Sequence, residues 1–368
     1  MRVIVVGAGI LGASAAYHLA TAGAEVVVVD AAHPGKATMA GAGIICPWAS
    51  KLDDPAWYRL SSAGARYYPE LAAALVEAGE TDTGYRKVGA LITAEEPGEL
   101  FAAERRLLSR ARNAPEAGKI NRLGNAEARS LFPPFREGLD AIHVDGAARV
   151  EARAFSAALL SVAVARGAVH RNERAGLRVE NDHAVCLGAD GQPIAGDIVI
   201  VTAGAWAPEI LAPIGIDTRV VPQKGQILHL GLPGVETRDW PVLLPQNGYY
   251  MLAFDDSRVV VGATRETGSG FDYRVTAGGE AEVLAFGLSF APGLRNATLI
   301  ETRVGFRPAG PSFVPMLGPA PGISGLLVGN GLGAGGLTLG PMAGRLLAEH
   351  ALGQKTALDL ADYALPKA

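Results

Sequence analysis

Two stretches decide the fold: Arg2-Val-Ile-Val-Val-Gly7-Ala-Gly9-Ile-Leu-Gly12 and, after helix-phased Ala15, Ala16 and Leu19, Glu25-Val-Val-Val-Val-Asp30. Two all-apolar β-branched runs joined by a helix read as β-α-β, and such runs belong in a parallel sheet covered on both faces. The apolar start, Met1 to Ala24, has the outline of a leader peptide, but the phased glycines and the second strand argue for a folded unit instead. Gly7, Gly9 and Gly12 fall where strand gives way to helix. Backbone amides there can hold a pyrophosphate that side chains would block, and Ala8, Ile10 and Leu11 lie along the same approach. Asp30 ends the second strand, where it can accept from a ribose hydroxyl, with Ala31 beside it.

Composition narrows the function. The 368 residues carry a net charge of −4 with no long like-charge run, so nucleic acid is not an expected partner. Cys46 and Cys186 are the two cysteines, too few for a disulfide framework or a four-thiolate zinc site, and a reducing cytoplasm is the expected location. The seven histidines have no metal-ligand spacing, so no metal site is expected. No apolar stretch approaches the ~20 residues of a membrane span.

Outward from the first unit the pattern changes character. Asp54-Pro55 caps a long helix through Trp57, Leu60, Tyr67, Leu71 and Leu75. A helix over 153–166 leads to strands near 177–180 and 184–187 and to a buried strand at 197–202. From 225 to 263 short antiparallel strands alternate with turns, fit to wall a cavity. A strand over 298–303, a strand over 326–329 and a last helix from Pro341 to His350 complete the chain. The expected fold is α/β plus α+β: a Rossmann-like nucleotide domain built on a parallel sheet (1–82, 146–219 and 303–368) and a substrate domain with a mainly antiparallel sheet (83–145 and 220–302).

Three further segments identify the nucleotide. Ala37-Thr-Met-Ala-Gly-Ala-Gly-Ile44, Ile198-Val-Ile-Val-Thr-Ala-Gly-Ala-Trp206 and Gly329-Asn-Gly-Leu-Gly-Ala-Gly-Gly-Leu-Thr338 occur in this order. Together with the first unit they resemble the D-amino-acid oxidase family of FAD enzymes, in the branch with glycine oxidase, D-amino-acid dehydrogenases and sarcosine oxidase. The resemblance implies that Thr38, Ala42, Gly43 and Ile44 run along the FAD, that Gly176 approaches its adenine side, and that Ala203, Gly204 and Trp206 flank it. It implies that Gly331, Leu332, Gly333, Ala334, Gly335, Gly336, Leu337 and Thr338 pass under the flavin, where free amides would favour negative charge on the reduced ring. Phe306 to Leu339 contains no cysteine for a covalent link, so the FAD is expected to be dissociable.

The resemblance also implies that Arg307, in Val304-Gly-Phe-Arg-Pro308, grips a substrate carboxylate and contacts the cofactor region, with Arg303 as its rival. Tyr250 matches a tyrosine that helps hold the same carboxylate, and Tyr249 should face the other side of its strand. Trp48 reads either as a cavity wall or lid or as a core tryptophan. Family members often carry a polar or basic side chain where this chain has Ala334, so the carboxylate must be anchored differently here. The expected activity is oxidation of the CH–NH bond of a D-amino acid or glycine-like substrate to an imino acid, with dioxygen or another carrier reoxidising the flavin. Oxidation of secondary or N-methylated amino acids is the alternative within enzymes, and a flavin-free binding protein is the alternative outside them.

Overall fold

The computed structural model describes residues 1–366; Lys367 and Ala368, the end of the third segment assigned to the nucleotide domain, lie outside the described residues. The chain opens with β1 (Arg2–Val6), α1 (Ile10–Thr21) and β2 (Glu25–Val29), as the apolar runs require. α2 (Pro55–Glu77) begins at Asp54, whose carboxylate accepts from the amides of Ala56 and Trp57. Then come β3 (Ile198–Val201), β4 (Val221–Gly231), β5 (Tyr250–Phe254), β6 (Arg258–Gly262), β7 (Thr298–Ala309), β8 (Leu326–Asn330) and α3 (Gly336–Ala351).

One sheet is six-stranded, in the order Met316–Pro319, β8, β3, β1, β2, Val169–Arg171. All its pairings are parallel except that of Met316–Pro319 with β8. Val3 and Val5 face one core, with α1, α3 and the helix Ala152–Ala165 above them, while Ile4 and Val6 face a second core on the other side. Burial on both faces is why these strands carry no alternating polar residues.

A second, nine-stranded sheet holds β4, β5, β6 and β7. β7 runs to Ala309, six residues beyond the expected strand, and pairs along most of β4. Residues 303–309 therefore continue within the second sheet, across the boundary expected at 303. The last helix also begins earlier than expected, at Gly336, with Pro341 inside it. Pro341 has no N–H to give to the carbonyl of Leu337, four residues back. The Tyr68 hydroxyl donates to that carbonyl instead, at 2.6 Å. Among the described residues no helix is long and apolar enough to cross a membrane.

Candidate functional site

The carboxyl ends of β1, β2, β3 and β8 meet the sheet of β4 and β7 around a cavity of about 440 Å³. Gly7, Gly9, Ile10, Leu11, Asp30 and Ala31 line it from the first unit. Thr38, Ala42, Gly43 and Ile44 line it from the following loop, and Ala203, Gly204 and Trp206 from the segment after β3. Leu332, Gly333, Ala334, Gly336, Leu337 and Thr338 line it at the start of α3, and Tyr250 and Arg307 from the second sheet.

The glycines fit a cofactor for reasons of space. Gly7 has φ +103°, and a Cβ on Gly12 would stand 1.9 Å from the Gly7 carbonyl oxygen, so α1 can begin against the strand end only with glycine there. The Ile10 amide donates to Thr38 Oγ1 at 3.0 Å, which pins the second loop to the mouth of α1. The N-termini of two helices of 12 and 16 residues thus face one space, and both favour negative charge there.

Asp30 accepts from the amides of Ala8 (2.6 Å) and Ala32 (2.7 Å) and from Lys36 Nζ (3.0 Å). Burial would raise its pKa, but the Ala8 amide and the Lys36 charge hold the carboxyl below the usual carboxylate range. Lys36, His33 and Arg174 also line this end, with the His33 ring stacked on Trp206 at 4.7 Å. None of the three was legible in the sequence, since a charged loop after a strand is ordinary.

Other expected residues stand off the cavity. Ala8 serves through its bond to Asp30 and Gly12 through packing, while the Gly331 amide donates to Asn330 Oδ1 and Gly335 packs near Leu339 and Trp57. Gly176 starts a strand beside Leu187, and its predecessors Arg174 and Ala175 line the cavity instead. Trp48 is 1% exposed in a 3₁₀ turn within the main core, so the lid reading is corrected to the core reading. The Arg110 guanidinium fixes that turn by donating to the carbonyls of Trp48, Ser50 and Leu52. Cys46 and Cys186 do not line the cavity, and burial pushes their thiols up to about 12 and about 11.

At the other end lie Arg307, Tyr250 and Arg265. Arg307 Nη1 donates to the Thr264 carbonyl at 3.0 Å. Its guanidinium lies flat across Gly225, where a Cβ would come within 2.6 Å of Nη2. Tyr250 crosses Gly262 in the same way, its hydroxyl 2.6 Å from where a Cβ would be. Burial raises the Tyr250 pKa against the opposing charges of Arg307 and Arg265, so the phenol is a donor at neutral pH. Burial likewise lowers the Arg307 pKa, yet a guanidinium stays charged. Tyr249 does face the other way, donating to Glu282 at 2.6 Å.

The rival Arg303 does not line the cavity and pairs with Glu301 (2.6 Å) and Glu151 (3.4 Å). The second guanidinium at this end is Arg265, in the segment between β6 and the short strand Glu266–Thr267, donating to the Gly248 carbonyl at 2.8 Å. It stands on a different element from Ala334, which lies in the 3₁₀ turn before α3.

The sequence profile of the family described as FAD dependent oxidoreductase matches residues 2–350. The chain is 49% identical to the uncharacterized oxidoreductase YurR of Bacillus subtilis, covering 98% of this chain and 97% of the relative. It is 30% identical to a glycine oxidase of Pseudomonas aeruginosa, covering 99% and 98%. Among solved structures, the iminodiacetate oxidase of Chelativorans sp. BNC1 is 59% identical and superposes with a TM-score of 0.98 over 100% of both chains. Glycine loops that a side chain would fill, two helix N-termini and an acid at the end of β2 suit the cofactor these relatives imply. The protein belongs to the DAO family of FAD-dependent oxidoreductases.

Proposed function

We propose that the protein oxidises a carbon–nitrogen bond in a secondary amine carrying two carboxylates, a substrate of the iminodiacetate kind. The observation that carries this reading is that two guanidinium groups, Arg307 and Arg265, face one cavity beside the Tyr250 hydroxyl. The acids that line the cavity, Asp30 and Glu209, are neighbours of His33 at the nucleotide end, so no lining carboxylate stands beside Arg307 or Arg265. The likeness to an iminodiacetate oxidase supports the same class.

In this reading Arg307 forks onto one carboxylate with the donors not given to Thr264, and Tyr250 adds its O–H. Arg265 takes the second carboxylate. With both ends held, the α-carbon has one orientation, and that restriction is the larger part of the chain's own contribution. Bound FAD supplies the two-electron acceptor, held by the first unit, the Thr38–Ile44 loop and the start of α3. Neither a carboxylate nor an imidazole lines the Arg265–Tyr250–Arg307 end among the described residues. The substrate therefore reacts as the neutral amine, which the two nearby cations favour over the ammonium. Water then cleaves the imine to glycine and glyoxylate.

A primary amino acid such as glycine or a D-amino acid, favoured by the glycine oxidase relative, would engage Arg307 and leave Arg265 without a partner. The test is kcat/KM across iminodiacetate, N-methylglycine, glycine and D-alanine. Iminodiacetate should lead by about 10²-fold, as a lost charge-assisted pair implies. A lead for glycine or D-alanine would return the reading to a primary amine. The same assays with and without air distinguish dioxygen from another acceptor.

A further inference from the structure

Lys224 is a buried ammonium that the chemistry above does not use. It is 1% exposed on β4, and alternation along the strand sends it and Gln226 to the face opposite Gly225. Its cross-strand partner is Glu266, whose Oε2 lies 3.5 Å from Lys224 Nζ. Oε1 of Glu266 accepts from Gln226 Nε2 and from Thr264 Oγ1, each at 2.7 Å. Gln226 is itself locked: Nε2 donates to Thr276 Oγ1 at 2.9 Å, and Oε1 accepts the Thr276 amide at 3.0 Å. Its backbone N–H donates to Thr264 Oγ1 at 2.9 Å, and its carbonyl accepts the Thr264 amide.

Thr264 and Glu266 are therefore fixed from behind, and Arg265 sits between them. On the cavity side the same three residues carry the Thr264 carbonyl that holds Arg307 and the Arg265 side chain itself. Desolvating an ammonium is costly unless it is paired, and Glu266 is the carboxylate that pairs with Lys224.

We propose that the Lys224–Glu266 pair is a positioning device that presets Arg265 and Arg307 as receptors for substrate carboxylates. The inference rests on the reading that these guanidiniums bind carboxylates. Neither Lys224 nor Glu266 lines the cavity, so both act through the Thr264–Glu266 segment.

The test uses the FAD-loaded enzyme and its variants Lys224→Met, Glu266→Gln and Thr276→Val. Anaerobic stopped-flow reduction of the flavin, with iminodiacetate and separately with glycine, yields the substrate Kd and the limiting reduction rate. The Kd should rise about tenfold in Lys224→Met and Glu266→Gln and about threefold in Thr276→Val, while the limiting rate stays within about threefold. A Kd unchanged within about twofold in the folded variants, with only thermal stability lost, would make the pair purely structural and overturn the proposal. Glu266→Gln keeps size and the acceptor oxygen, so it decides the matter if Lys224→Met does not fold. If the wild type is reduced by glycine and not by iminodiacetate, the dicarboxylate reading fails, and the positioning role is then judged by the Kd for glycine.

Discussion

Gly225→Ala isolates the geometry of the carboxylate anchor from its chemistry. A Cβ at 225 would stand 2.6 Å from Arg307 Nη2 and 2.8 Å from both Cζ and Nη1. Ordinary contact needs about 3.5 Å, so the guanidinium must retreat by roughly 1 Å. A shift of that size in a positioning group costs on the order of 10²-fold in rate, or about 2.7 kcal/mol. The backbone gives no confounding penalty: Gly225 lies in a strand without positive φ, where alanine is at least as good as glycine. The assay is anaerobic flavin reduction against substrate concentration, alongside the visible spectrum and a thermal melt. We expect FAD to be retained, the fold to be intact and kcat/KM to fall about 10²-fold. A folded, FAD-loaded Gly225→Ala enzyme within about threefold of wild type would refute the assignment of Arg307 as anchor.

Three further outcomes follow from the same geometry. Arg265→Met should weaken a dicarboxylate substrate by about 10–10²-fold in Kd and leave glycine within about threefold; equal loss for both would remove Arg265 from substrate recognition. Tyr68→Phe leaves the Leu337 carbonyl facing proline with no donor, and should cost about 1–2 kcal/mol in urea unfolding of the apoprotein; no loss would mean that carbonyl finds another partner. Burial, then the Arg345 charge, holds His18 neutral with its pKa lowered from 6.5 to about 3. The unfolded chain takes up this proton first, so stability is full above pH 6.5 and falls toward pH 3, by roughly 1.4 kcal/mol per pH unit below 6.5. His229, also lowered to about 3, and His33, lowered as well, act in the same direction, so His18→Gln should reduce the acid slope between pH 6 and 5 rather than abolish it; an unchanged slope would contradict the assignment.

The nucleotide half was legible because its signals are local. All-apolar strands, a glycine triplet in phase with a helix start and an acid at the second strand end all lie within the first thirty residues. The start of α3 was not legible: glycines and Pro341 lower helix propensity over 333–341. Tertiary bonds override that preference, through Tyr68 on the Leu337 carbonyl and Ser14 Oγ on the Pro341 carbonyl at 2.7 Å. Arg307 was visible only through its motif, whereas Arg265 had no mark at all. Arg258, Arg265 and Arg303 look alike in sequence. What separates them is register, which pairs Arg258 with Asp256 and Arg303 with Glu301 and Glu151 but leaves Arg265 at the cavity. Trp48 follows the cofactor loop closely enough to suggest a lid, yet Arg110 pins its turn inward. Gly176 stands one residue beyond the cavity lining, after Ala175.

In the proposed reaction two arginines hold the two ends of one secondary amine while its carbon–nitrogen bond is oxidised. The most direct measurement is a product balance on a stoichiometric anaerobic reaction of the FAD-loaded enzyme with iminodiacetate. We expect one glycine and one glyoxylate for each flavin reduced, with no ammonia released. A flavin that iminodiacetate leaves oxidised, while glycine or a D-amino acid bleaches it and releases ammonia, would contradict it.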